Sequence, residues 1–186
     1  MKTAIVSALL GAGVLAAASA NAGTIFDQVD FNGVELVTAS FTATSADTTV
    51  AFFGFDVPEF DVVENISLTT NGGSNLLGQT WSFTEAPLGS MSGQAPDPFG
   101  TGTNGLVFGG GIVDSFDEFS QNVATVAGQT YGLNFDFASQ DSGPSEVFAT
   151  ASAVAVPEPA TWTLALVGFG GLGAALRSRR RLALAV

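Results

Sequence analysis

Between residues 23 and 156 apolar and polar positions alternate with a period of two, and no stretch sustains the three-to-four spacing of an amphipathic helix. The alternation is cleanest in 130–138, where Tyr131, Leu133, Phe135 and Phe137 fall on one face and Asn134 and Asp136 on the other. The same pattern places strands at 36–43, 49–57, 62–70, 79–83, 106–108, 119–126, 130–138 and 146–154. Gly, Asn, Ser and Pro punctuate them, and Asn71-Gly72-Gly73-Ser74-Asn75 supplies residues that tolerate positive φ in a tight turn. Residues 85–104, rich in Pro and Gly, do not suit a central strand and predict a surface loop. About eight short strands at this spacing predict an all-β domain built as a β-sandwich or jelly roll.

The two ends break the pattern. Met1-Lys2 is a short positive start, residues 4–18 are apolar, and Ala20-Asn21-Ala22 offers the small side chains that the narrow pocket of signal peptidase accepts. Residues 1–22 therefore read as a secretory signal peptide cut after Ala22 and are excluded from the fold. The competing reading, a membrane anchor, needs an apolar run of ~20 residues, and this one falls short. At the other end, residues 161–176 form a second apolar run, ~24 Å long as a helix at ~1.5 Å per residue. That is at the short limit for a single transmembrane helix across a ~30 Å bilayer core. Trp162 suits one interface, and Arg177, Arg179, Arg180 and Arg181 suit the cytoplasmic side as a membrane stop. Gly168, Gly170, Gly171 and Gly173 would permit close helix contact in lipid. A buried C-terminal helix competes with this, but four arginines would be an unusual cap for one.

Val156-Pro157-Glu158-Pro159-Ala160, followed by Trp162, the glycine-rich run Gly168-Phe169-Gly170-Gly171-Leu172-Gly173 and the terminal arginines, resembles the PEP-CTERM sorting signal. The resemblance covers about residues 155–181, and motif, spacing and charge agree; the extension 182–186 departs from it. It implies that exosortase, a membrane enzyme, recognises the tail and cleaves it near Pro157, Glu158, Pro159 and Ala160. It further implies a Gram-negative bacterium, passage through the inner membrane, and a final place on the cell surface or in an extracellular, exopolysaccharide-rich biofilm matrix. The chain then divides into a signal peptide at 1–22, an ectodomain at 23–155 and a sorting signal at 156–181.

Charge sharpens this division. All five basic residues, Lys2 and the four terminal arginines, lie in the targeting ends. Of the 17 acidic residues only Glu158 lies outside 23–156, which leaves that region a formal charge of −16 with no basic side chain to offset it. Side-chain salt bridges within the ectodomain are excluded, and nucleic acid and anionic polymers are poor partners. Self-repulsion should weaken as salt screens it. There is no cysteine, so no disulfide supports the fold despite export to an oxidising space. Stability must come from a core, and 15 of the 16 Phe lie between Phe26 and Phe148. Burying such rings contributes ~1.5–3 kcal/mol each.

A second resemblance lies in the strands. Ser40-Phe41-Thr42-Ala43-Thr44, Thr48-Thr49-Val50-Ala51-Phe52 and Val63-Glu64-Asn65-Ile66-Ser67-Leu68 resemble the closing half of a galactose-binding-like jelly roll. Phe119-Ser120-Gln121-Asn122-Val123 and Ala127-Gly128-Gln129-Thr130-Tyr131 resemble its opening half. The halves stand in the opposite order from the usual one, which implies either a permuted domain or a match between generic strand patterns.

Catalytic chemistry has little to work with. The ectodomain lacks His, Cys, Lys and Arg, which removes Ser-His-Asp and Cys-His nucleophiles. A glycosidase-type carboxylate pair remains, but among so many acidic residues any two carry little weight. No catalytic residue is assigned, and the expectation is a protein that is not an enzyme. Calcium is the cofactor to consider, because hard cations take carboxylate and carbonyl oxygens. Asp56, Glu59, Asp61 and Glu64 gather at one turn, and Asp114, Asp117 and Glu118 at another. Solvated surface carboxylates are the competing reading, since no spacing matches an EF-hand loop. Sugar binding would need an aromatic platform. Trp81, the ectodomain's sole Trp, alternates with Phe83 on a predicted strand, so both are expected to enter the core. The functional expectation is a structural or adhesive matrix component; the alternative is a carbohydrate-binding module attached to exopolysaccharide.

Overall fold

The computed structural model describes residues 23–70, 73–86, 89–96, 104–110, 112–140 and 143–154. The expected signal peptide and the expected sorting signal with its membrane run lie outside these residues. The described chain is all-β, in the order β1 (Gly23–Val29), β2 (Asn32–Thr42), β3 (Asp47–Thr69), β4 (Ser82–Thr84), β5 (Gly93–Pro96), β6 (Asn104–Gly110), β7 (Asp117–Ala124), β8 (Thr130–Gln140) and β9 (Ser145–Ala153).

Hydrogen bonding joins these strands into one open sheet, and β3 makes it a single sheet. The first half of β3 lies between β7 and β9, with Phe52 opposite Phe119 on one side and Ala149 on the other. Its second half lies between β6 and β8, with Val63 opposite Leu106 and Phe137. One arm of the sheet is therefore β1-β9-β3-β7-β4 and the other β2-β8-β3-β6-β5. The pattern predicted two strands where β3 runs unbroken, because Pro58 and three carboxylates interrupt the apolar alternation between them. The ladder is irregular at that point, with a register shift between Asp56 and Phe60 against β6. A bulge of this kind bends the strand and strengthens its twist.

Rings from the two arms meet. Phe135 on β8 packs edge-on against Phe26 of β1 at 5.0 Å and Phe52 of β3 at 5.1 Å. Phe108 on β6 meets Phe119 on β7 at 5.2 Å. Tyr131, Leu133, Phe135 and Phe137 are all buried, as the alternation predicted, while Asn134 and Asp136 face outward. Tyr131 is also tied into the adjoining turn, its hydroxyl accepting the Val126 amide at 2.9 Å.

Two expectations need correction. Residues 85–104 are not wholly loop: β5 lies inside them and pairs with β6. Pro96 is tolerated there because the strand is an edge, where a missing N–H removes no interior ladder bond. Phe83 is not in the core. It is 42% exposed, lying over Phe119 at 4.8 Å, whereas Trp81 is buried beside Phe52 as expected.

Candidate functional site

A groove of about 370 Å³ opens where the second half of β3 meets β5, β6 and the segment before β4. Its side chains of interest are Glu64, Asn65, Gln79, Trp81, Gln94 and Asn104. The β3 wall is shaped by a second bulge, a register shift between Glu64 and Ser67 against β8. Asn65 occupies it in the left-handed region at φ 53°, a conformation Asn adopts more readily than most residues. Its amide donates to Asp136 Oδ2 at 2.7 Å, which fixes the wall.

The facing wall is a non-strand segment held by side-chain amides. Asn75 Oδ1 accepts from the Leu68 and Leu77 amides at 2.9 and 3.1 Å, pinning the start of the segment to the end of β3. Gln121 on β7 accepts from the Gly78 amide at 2.9 Å and donates to the carbonyls of Gly78 and Thr80 at 3.0 and 2.9 Å. Gln94 on β5 accepts from the Trp81 amide and donates to the Gln79 carbonyl. The Trp81 ring packs edge-on against Phe52 at 5.6 Å, so it is anchored in the core. These bonds fix the walls before any ligand arrives, which limits the ordering cost of binding. Sequence reading missed Gln79, Gln94 and Asn104, because amides on separate segments converge only through β3–β6–β5 pairing. The signal for Asn65 was its place after Glu64, two consecutive polar residues that break the alternation between Val63 and Ile66.

The calcium residues fare differently. Asp56 and Asp61 are buried on β3, at 0% and 1% exposure, and Glu64 is buried at the groove. Glu59 is half-buried between them. Asp117 is buried and its Oδ1 accepts the Ala86 amide at 2.7 Å, a bond that secures the chain after β4. Glu118 is half-buried on β7, and Asp114 is exposed in a turn at φ 63°. Among the described residues no three carboxylates converge in a way that could hold a metal ion. The two acidic turns of the sequence are thus brought into strands and loop anchors, not into one ligand shell. Elsewhere, partial burial and the charges of Asp27 and Asp114 push the Glu146 carboxyl above its usual range.

The PEP-CTERM protein-sorting motif matches residues 155–181. No curated protein and no solved structure matches the chain. The ectodomain's jelly-roll resemblance gains nothing from these comparisons. The class is then an exported bacterial protein with an all-β ectodomain. More particularly, the chain carries a PEP-CTERM sorting motif and is targeted by exosortase to the cell surface.

Proposed function

We propose that this is a non-catalytic, structural or adhesive component of the surface layer or biofilm matrix of a Gram-negative bacterium. Export begins with signal peptidase cleavage after Ala22. The tail then halts in the inner membrane through residues 161–176, and exosortase cuts near Pro157. The observation that carries the adhesive role is β2. Among the described residues it pairs with β8 alone, over eleven residues with no Pro or Lys to blunt its other edge, and it exposes Val34 and Leu36. Contact between the two arms supports reading the open sheet as a sandwich folded at a shared strand. Replacing Val34 and Leu36 by Lys should release the protein from the matrix into the medium while leaving its melting temperature nearly unchanged. Retention equal to wild type would overturn the adhesive role. Processing is tested separately by the intact mass of protein recovered from cells. The expected species begins at Gly23 and ends near Pro157; a cytosolic chain still bearing residues 1–22 and 157–186 would end the export scheme.

A second reading, a carbohydrate-binding module attached to exopolysaccharide, is favoured by the groove beside Trp81.

A further inference from the structure

We infer that the groove between Asn65 and Gln94 binds a sugar unit of an uncharged, hydroxyl-rich glycan, and that it rejects uronic-acid and sulfated chains. The inference rests on the carbohydrate-binding reading and gives it a site and a ligand class. Size fits first: about 370 Å³ lies within the ~300–1,000 Å³ of small-ligand sites, towards the small end.

Chemistry then narrows the class. Gln79 and Asn104 each bring a donor and an acceptor to the lining, while Asn65 and Gln94, already bonded to Asp136 and to the backbone of Gln79 and Trp81, keep a second amide hydrogen and a second lone pair. Adjacent sugar hydroxyls, which donate and accept at once, complement such amides better than an apolar or purely ionic ligand does. Glu64 adds acceptor oxygens only, and Trp81 contributes a rigid aromatic border anchored on Phe52. Charge decides the rest. The ectodomain holds 16 carboxylates and no Lys or Arg, so a ligand carrying carboxylate or sulfate would enter a negative field with nothing to pair it.

Gln79 and Asn104 are both exposed, which makes them suitable to alter without disturbing the core. The full-length chain is purified in a sugar-free detergent with Trp162 replaced by Phe, so that fluorescence reports Trp81 alone. It is titrated with neutral hexasaccharides of glucose, mannose, galactose and xylose, and with oligogalacturonate. At least one neutral hexasaccharide should shift the Trp81 emission saturably, and oligogalacturonate should not. The double variant Gln79→Ala, Asn104→Ala should bind about tenfold or more weakly, as expected for two lost hydrogen bonds, with an unchanged melting temperature. The inference is overturned if no neutral hexasaccharide binds, if oligogalacturonate binds equally well, or if the stable double variant binds like the parent. None of these outcomes touches the export scheme, which the intact mass decides.

Discussion

At the scale of single residues, one ring and one carboxyl dominate. Phe135 is fully buried and is the ring on which Phe26 from one edge strand and Phe52 from the shared strand both rest. Deleting it opens a cavity between the two arms that neither backbone can close. Phe135→Ala should therefore cost about 3–5 kcal/mol, read from the midpoint of urea unfolding. Phe83, which lies exposed over Phe119, gives the contrast: Phe83→Ala should cost only about 1 kcal/mol. Glu146 acts in the opposite sense. Partial burial, Asp27 and Asp114 all disfavour its ionised form, so its folded pKa lies above the unfolded value. The folded state then holds this proton more firmly, and stability falls as pH rises from the usual glutamate range through the folded pKa. Glu146→Gln should raise the melting temperature by about 1–3 °C at neutral pH, a surface-scale effect. That gain should vanish below the ordinary glutamate pKa, where the carboxyl is protonated in both states. Differential scanning calorimetry from acid to neutral pH checks the sign.

At the scale of elements, β3 decides what the sequence could and could not reveal. Strands such as β8 were legible because each side of the alternation meets one environment, core or solvent. The halves of β3 were legible for the same reason, but their fusion was not. Residues 56–61 carry Asp56, Pro58, Glu59 and Asp61, which look like a surface turn, and pairing with β6, β8 and β9 keeps them in a strand. β1 was missed because its apolar residues Ile25, Phe26 and Val29 do not alternate, Val29 being exposed, and its partner β9 is distant in sequence. The groove was illegible for a related reason: its amides sit on four separated segments, and no local pattern joins them. The sorting motif, by contrast, was legible, since its residues follow one another in sequence order. The bend in β3 also makes a prediction. A Cβ on Gly109 would lie 2.2 Å from the Phe60 ring and 2.9 Å from the Glu59 carbonyl, at and just inside the end of the register shift. Gly109→Ala should force the ring and the bulge apart and cost about 1–3 kcal/mol. A shift of that size in urea, accompanied by lost amide-exchange protection in β6, would tie the clash to the β3–β6 ladder.

At the scale of the molecule, charge and attachment act together. Gly23 lies opposite Ala151, and the Val154 amide donates to the Asp47 carbonyl, so the described chain begins and ends beside the start of β3. The groove is built on Glu64 and Asn65, towards the other end of that strand. The groove and the two ends of the described chain therefore lie towards opposite ends of β3. The same ectodomain holds its carboxylates without a single basic side chain, and their repulsion works against the compact state. Raising NaCl from 0.01 M to 1 M shortens the screening length from ~30 Å to ~3 Å, which removes most of that repulsion. The melting temperature should rise throughout this range, with most of the gain below about 0.15 M, where the screening length is still ~8 Å. Calcium and magnesium chloride at matched ionic strength should give equal shifts, because the described carboxylates form no shared ligand shell. A calcium shift well beyond that of magnesium would mean that a specific cation site, not diffuse screening, holds the acidic strands together. A melting temperature indifferent to salt would mean that the carboxylates are already neutralised within the fold.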